Sequence, residues 1–143
     1  MHKIAERLLA LLETRRGEYA EFDKRIDKYE HSLQCATRAL YAKEPDDYVV
    51  MCLFHDVFGG FEALQHGNMA GVVLRPWISA RAQIACYEHP FAMQELLSAG
   101  DDWHVPANDA MFFAQRYDHP SFDPAYIRLS LNAFLPIIQR VIR

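Results

Sequence analysis

The sequence has few of the features that mark disulfide scaffolds, membrane spans or nucleic-acid binders. Its three cysteines are an odd number with no CxxC pair, which argues against a disulfide scaffold and favours a reducing compartment. The longest unbroken apolar run, residues 48–54, is far too short to cross a bilayer. The basic residues are scattered and the net charge is −4, so a basic patch for nucleic acids or anionic membranes is missing. We therefore expect a cytoplasmic protein, a monomer or weak homodimer, without nucleic-acid or membrane partners.

The sequence also lacks the alternating pattern of β-strands, internal repeats and low-complexity linkers. Apolar residues instead recur at spacings of three and four, as they do at Ile4, Leu8 and Leu11. A chain of 143 residues suits one domain with a single core. These observations predict an all-α domain of six to seven helices that spans residues 1–143.

Turn signals set the limits of the predicted helices. Pro45 and the two aspartates that follow it favour a helix start, and the glycine pair at 59–60 favours a stop. Pro90 is expected to break or kink the helix that contains it. The first predicted helix ends at 15–17, and the third runs from 46–47 to 59–60. The other predicted helices cover 30–42, 62–75, 80–89, 107–117 and 130–143.

Seven histidines are present, and several fall at predicted helix ends beside carboxylates. His31 opens the second helix, and the adjacent pair His55 and Asp56 closes the third. Antiparallel helices joined by a short turn can bring such positions together. Further candidates lie on the later helices, namely His66, His89 and Asp118.

Histidine with carboxylate is a ligand set for iron, manganese or zinc. A carboxylate beside a histidine ligand can bridge two ions, because each of its two oxygens can bind one. His55 and Asp56 follow an apolar run, where burying them without partners costs several kcal/mol. A bound metal would supply the charge that compensates for this cost. Four histidines and two aspartates would suffice for two metal ions.

His31, the pair His55-Asp56 and Asp118 resemble the H…HD…D pattern of the HD-domain superfamily. The phrases EHSLQCATRA, VVMCLFHDVFGG, HGNMAGVVLRPWIS and AQRYDHPSFDP are similar to its branch of predicted HD phosphohydrolases, over about residues 28–140. That branch is akin to diiron oxygenases of the myo-inositol oxygenase and hydroxy-phosphonate oxygenase type. The resemblance implies a first metal on His31, His55, Asp56 and Asp118, with Asp56 bridging to a second metal held by His66 and His89.

The resemblance also implies a chemistry. It implies two iron ions in a mixed-valent Fe(II)/Fe(III) pair, with manganese or another divalent metal as the alternative cofactor. The expected enzyme is an oxygenase that uses O2 to oxidise or cleave a small polar hydroxy or amino metabolite, phosphonates and carboxylates included. A divalent-metal-dependent phosphohydrolase of a phosphate ester or nucleotide is the alternative, although lysine and arginine are sparse around the motifs. A metal-stabilised binding module without catalysis is the third hypothesis.

Two departures from the family pattern bear on the substrate. No lysine follows the last histidine ligand in "HPFAMQELL", and the glycine of the HDxG motif is displaced in "HDVFGG". We expect a different mode of substrate recognition and either a smaller lid or a more open one, for which loop 98–109 is the candidate. Arg116 could pair with an anionic substrate, or form a salt bridge instead. The remaining predicted substrate contacts are Tyr19, Glu30 and His119.

Overall fold

The computed structural model describes residues 1–59, 65–99, 106 and 108–143. These residues form seven α-helices and one π-helical segment, and none of them lies in a β-strand, which confirms the predicted all-α fold. The helices are α1 (Lys3–Glu13), α2 (Lys28–Tyr41), α3 (Asp46–Phe54), α4 (His66–Leu74), α5 (Ala80–Ala99), α6 (Asp109–Phe113) and α7 (Leu131–Val141). The π-helical segment, Ala114–Asp118, follows α6 directly.

Helix α3 is the centre of the hydrophobic core. Every residue from Tyr48 to Phe54 is buried, because this stretch is apolar on all sides. The helix packs against α2, α5 and α7. Helices α1 and α7 are amphipathic instead and bury one face each. The chain that follows α3 is therefore held in the middle of the molecule.

Helix α3 ends at Phe54, sooner than the glycine pair predicts. Residues 55–59 form a turn, in which the Val57 amide bonds the Phe54 carbonyl at 3.3 Å and the Gly59 amide bonds the Asp56 carbonyl at 3.0 Å. The sequence prediction placed this helix end too late. As a result, His55 and Asp56 lie just beyond the helix, where the last-turn carbonyls of α3 are open to side-chain donors.

The prediction that the fifth helix ends at residue 89 is wrong, because α5 continues through Pro90 to Ala99. Proline removes the backbone N–H that would bond the carbonyl four residues earlier, here that of Cys86. Nδ1 of His89 donates to this carbonyl at 2.7 Å and satisfies it. Packing of α5 against α4 and α6 holds the helix on both sides of the proline.

The other limits agree with the sequence prediction to within a few residues. Helix α2 starts at Lys28 because the Asp27 carboxylate caps it, accepting from the Glu30 amide at 2.8 Å. The predicted start of the fourth helix at 62–64 and most of the candidate lid loop lie outside the described residues. No described helix is long and apolar enough to span a membrane.

Candidate metal centre

The structure brings all six predicted ligands into one cluster. They come from five separate segments: His31 from α2, His55 and Asp56 from the turn after α3, His66 from the start of α4, His89 from α5 and Asp118 from the end of the π-helical segment. Packing of these segments around α3 brings together residues that are far apart in the sequence, such as His31 and Asp118. The cluster divides into two triads.

The inner triad, His31, His55 and Asp118, is buried in the core. Oδ1 of Asp118 lies 2.9 Å from Nε2 of His31 and 3.5 Å from Nε2 of His55. The two Nε2 atoms are 3.3 Å apart. Ligand atoms about 2.1 Å from a shared ion lie roughly 3 Å from one another. The inner triad therefore has the spacing of a metal ligand set.

Backbone carbonyls determine which nitrogen of each inner histidine faces the centre. Nδ1 of His31 bonds the Ser121 carbonyl at 2.8 Å, and Nδ1 of His55 bonds the Cys52 carbonyl at 2.7 Å. A carbonyl oxygen only accepts, so the proton sits on Nδ1 and the neutral ring turns the lone pair of Nε2 toward the centre. Such outer hydrogen bonds orient the histidine ligands of metals.

With neutral rings, the inner triad gathers three acceptors, which repel one another unless a cation or a proton stands between them. Burial raises the pKa of Asp118, but the adjacent imidazoles of His31 and His55 outweigh it and hold the pKa well below its usual range. Burial lowers the pKa of His55, but the adjacent Asp118 carboxylate acts in the opposite direction and the net shift of the pKa is upward. A cation at this place would balance the three acceptors.

The outer triad, Asp56, His66 and His89, lies beside the inner one. Oδ1 of Asp56 is 2.9 Å from Nε2 of His66 and 3.6 Å from Nε2 of His89, and the two Nε2 atoms are 2.8 Å apart. Burial raises the pKa of Asp56, but the adjacent imidazoles of His66 and His89 outweigh it and bring the pKa well below its usual range. Burial lowers the pKa of His89, which favours the neutral imidazole that metals bind.

The two triads meet at the pair His55 and Asp56. One ligand atom each from His55, Asp56 and His89 also lies within 4.8 Å of the others. Asp56 therefore faces the outer triad from the residue next to an inner ligand. A carboxylate in this position can serve two ions.

Pro90 helps to orient His89. The missing N–H of the proline leaves the Cys86 carbonyl without its helical donor, and His89 takes that place through Nδ1. His55 makes the equivalent bond to Cys52 at the end of α3. Each of these histidines thus bonds a carbonyl three residues earlier, and a helix end or a proline frees that carbonyl.

Gly67 allows α4 to approach α5 closely enough for His66 to reach His89. A Cβ at position 67 would lie 2.5 Å from the Cys86 carbonyl oxygen, 2.7 Å from Cδ of Pro90 and 2.9 Å from Nδ1 of His89. These neighbours are a backbone atom and two rings, which cannot swing aside. The glycine is therefore a requirement of the outer triad.

The π-helical segment determines the position of Asp118, its last residue. In it the His119 amide bonds the Ala114 carbonyl at 2.8 Å, five residues back, instead of four as in an α-helix. Such insertions are rare and occur often at functional sites. The extra residue in the turn changes the direction of the side chains that follow α6, and Asp118 points at the inner triad.

The donor set fits a metal. Four imidazoles and two carboxylates, all of them buried or nearly so, suit iron, manganese or zinc, and these buried histidine and aspartate groups could bind metal ions. No other described residues were found to form a cluster of this kind.

A cleft of about 530 Å³ reaches the cluster. Ligand side chains from both triads form its floor. Its walls combine apolar groups with a few polar ones, namely Tyr19, Phe22, Lys28, Met93, Gln94 and Phe122. Phe122 stacks on the His31 ring at 4.0 Å between centroids and contacts Phe22 edge-on at 5.1 Å. The cleft is large enough for a small metabolite.

Of the predicted substrate contacts, the structure places Tyr19 in the cleft wall and the other three elsewhere. Glu30 is paired with Arg128, with an Oε1 to Nη2 distance of 2.6 Å. Arg116 is exposed, and its guanidinium lies 5.2 Å from the centroid of the Phe112 ring. His119 is exposed, so its position next to Asp118 in sequence does not bring it to the cleft.

Sequence reasoning missed several residues that support the site. Lys28 lines the cleft, and Phe122 and the Ser121 carbonyl hold His31. Gln34 donates to the Asp123 carbonyl at 2.7 Å and accepts from the Asp123 amide at 3.2 Å, and so fixes the segment that contains Ser121. A signal for part of this arrangement was visible as the repeated C-x-x-H of "CLFH" and "CYEH".

No protein-family model matches this chain, and a search of curated proteins found none with significant sequence similarity. The likeness to HD domains therefore stays a prediction from the sequence motifs. What the geometry defines is an all-α protein with a buried histidine and aspartate cluster at the bottom of a cleft.

Proposed function

We propose that this chain is a dinuclear metalloenzyme of the HD-domain type, an iron-dependent oxygenase that acts on a small polar metabolite. The observation that carries the proposal is the meeting of two triads at His55 and Asp56, with imidazole Nε2 and carboxylate oxygen atoms 2.8–3.6 Å apart. His31, His55 and Asp118 would hold one ion, and His66 and His89 the other, with Asp56 between them.

The donor set supports iron among the candidate metals. Four neutral imidazoles and two carboxylates form a mixed set of borderline and hard ligands, which suits iron in either of its common oxidation states. Three of the imidazoles are oriented by backbone carbonyls, so little rearrangement is required on binding. When bound, a redox-active iron pair supplies the activation of O2.

The chain's own residues bind the substrate and exclude water. Phe22 and Phe122 contact each other beside the cluster and form an apolar wall. Met93 and Leu97 line the cleft from α5. An apolar enclosure protects reactive intermediates from water and limits side reactions.

A hydrolase of phosphate esters is the alternative, and the cleft favours it less. Phosphate recognition commonly uses several cationic side chains. Of the described residues that line the cleft, Lys28 is the only lysine or arginine. Arg81 is committed to Glu44 at 3.0 Å, and Arg116 lies over Phe112.

Metal analysis of protein expressed with iron and purified without chelators tests the proposal. We expect two irons per chain, a mixed-valent EPR signal after partial oxidation, and O2 uptake with a member of a panel of small hydroxy and amino compounds. His66→Ala removes an outer ligand and is expected to lower the iron content to about one per chain.

His2→Asn is the matched control, because His2 is an exposed histidine that caps α1 through Nδ1 and asparagine keeps this cap. This variant should retain the full iron content. One ion or none per chain in the wild-type protein would contradict the proposal. Phosphate release from esters without O2 uptake would establish the hydrolase instead.

A further inference from the structure

Lys28 lies in the wall of the cleft. It is the first residue of α2, half-buried, and its Nζ donates to the Gly59 carbonyl at 3.2 Å. Among the described residues no carboxylate forms an ion pair with it. An ammonium group has three donors, so donors remain for a ligand. A half-buried cation that no described carboxylate neutralises, in the wall of a cleft, can bind an anionic ligand.

Gly59 makes room for this ammonium group beside the metal cluster. A Cβ at position 59 would lie 2.8 Å from Nζ of Lys28 and 3.4 Å from Oδ1 of Asp56. The lysine nitrogen and the candidate bridging carboxylate therefore flank the same small space. A ligand that reaches the metals through one group could meet Lys28 with another group a few bonds away.

The formal charge of the loaded cleft also favours an anion. Two divalent ions and Lys28 outweigh the carboxylates of Asp56, Asp118 and Glu21, with the histidines neutral. A neutral ligand would leave this excess uncompensated in a partly enclosed space, where electrostatic interactions are stronger than in water.

We propose that Lys28 is the substrate-specificity residue of the cleft, and that it binds the anionic group of a small hydroxy or amino acid. The anion is a carboxylate or a tetrahedral oxyanion such as phosphate or phosphonate. Gly59 is the second requirement, because it leaves the space that the ammonium group occupies. This inference rests on the proposed metal centre and adds the charge of the substrate to it.

Calorimetric titration of the metal-loaded protein tests the inference with three probes: glycolate, ethylene glycol of matched size without charge, and inorganic phosphate. Lys28→Met removes the charge and keeps the length of the side chain. We expect its Kd for glycolate to rise about tenfold or more, with the Kd for ethylene glycol within about twofold of wild type. Comparing glycolate with phosphate in the wild-type protein then identifies which anion the cleft prefers.

Two further variants sharpen the test. Gly59→Ala retains the lysine but fills the space of Nζ, and it should weaken glycolate binding as well, because the flexible side chain moves away. Lys24→Met removes an exposed lysine four residues before Lys28 and should bind glycolate as the wild type does. An unchanged Kd for glycolate in Lys28→Met, or an equal loss in Lys24→Met, would overturn the inference.

The metal content of every variant is measured in the same samples. A protein that takes up no metal refutes the proposed function. A protein that binds its metals while Lys28→Met leaves anion binding unchanged refutes only the role of Lys28. Metal content equal to wild type with weakened anion binding supports both.

Discussion

The two triads of the cluster are built in different ways. The inner triad is part of the core: His31 and His55 are each 1% exposed, and Asp118 is 4% exposed. Two ligands of the outer triad lie nearer the surface, Asp56 at 8% and His66 only partly buried, whereas His89 is 3% exposed. Inner ligands are held by the packing of α2, α3 and the π-helical segment, whereas outer ligands depend on the contact between α4 and α5.

This difference has a consequence for metal binding. The inner ligands are placed by side chains that the fold must bury in any case, so their arrangement is largely complete before a metal arrives. The outer arrangement depends on one glycine and one proline, and His66 stands at the first residue of a short helix. We therefore expect the inner triad to bind its ion more tightly and to fill first.

Asp118→Ala is expected to have the largest effect. It removes the carboxylate that both inner histidines face at 2.9 Å and 3.5 Å and leaves two Nε2 lone pairs without a charged co-ligand. Loss of a ligand should weaken the tight site by about 100-fold or more, since even outer-shell changes cost 10–100-fold. Manganese titration followed by calorimetry measures it. Persistence of the tight site in this variant would contradict the assignment of the inner triad.

Gly67→Ala is expected to have the next largest effect, and on the outer triad alone. The new Cβ would clash with the Cys86 carbonyl and the Pro90 ring, so α4 must move away from α5. Overpacking of this kind costs about 1–3 kcal/mol of folding free energy. Manganese titration should then show the tight site unchanged and the weaker site lost.

Gly71→Ala is the matched control, one turn further along α4. Its Cβ would lie 3.3 Å from Cβ of Tyr87 and 3.4 Å from the Tyr87 backbone, a tight contact but without the overlap found at position 67, and alanine favours the helix by about 0.5–1 kcal/mol. Both sites should persist in this variant. Loss of both sites in Gly67→Ala would show that the two triads do not fold independently.

The sequence predicted the helices and the six ligand candidates, but it did not predict how the ligands are held. Apolar spacing finds helices, and a histidine beside an aspartate after an apolar run indicates a site. The end of α3 and the passage of α5 through Pro90 depend on side-chain bonds to the Cys52 and Cys86 carbonyls, which spacing does not encode. Such bonds can be recognised only once the structure shows where the histidine and the carbonyl lie.

Substrate contacts were harder to predict for a related reason. Arg116 is close to Asp118 in sequence, but the π-helical segment separates the directions of their side chains, and Arg116 lies over Phe112. Lys28 is three residues before His31 and therefore shares a helix face with it, yet a lysine at the start of a helix is an ordinary surface residue by sequence alone. Its place in the cleft wall, next to Gly59, is visible in the structure and not in the sequence.

Pro90→Ala separates metal affinity from folding stability. Alanine restores the N–H that bonds the Cys86 carbonyl, so His89 must compete for this acceptor. Replacing a helix-interior proline should raise the stability of α5 by up to about 3 kcal/mol. We expect a higher melting temperature together with about tenfold weaker binding at the outer site, since loss of outer-shell orientation costs this much. Affinity that rises with stability would show that His89 does not need this bond.

Gln34→Ala is expected to have the smallest effect, and it acts on the inner triad through the backbone. The amide of Gln34 bonds the Asp123 carbonyl at 2.7 Å and the Asp123 amide at 3.2 Å, and this segment contains the Ser121 carbonyl that orients His31. Removing the buried amide leaves two backbone groups unsatisfied, at a cost of about 1–3 kcal/mol in the free energy of unfolding. His31 keeps its own stacking contact with Phe122, so manganese affinity at the tight site should fall by less than about tenfold.

Denaturant unfolding measures the stability of Gln34→Ala, and manganese titration measures its affinity for the metal separately. Because α2 and the core position the inner ligands, a loss of affinity as large as that of Asp118→Ala would show instead that the inner triad is no more rigid than the outer one.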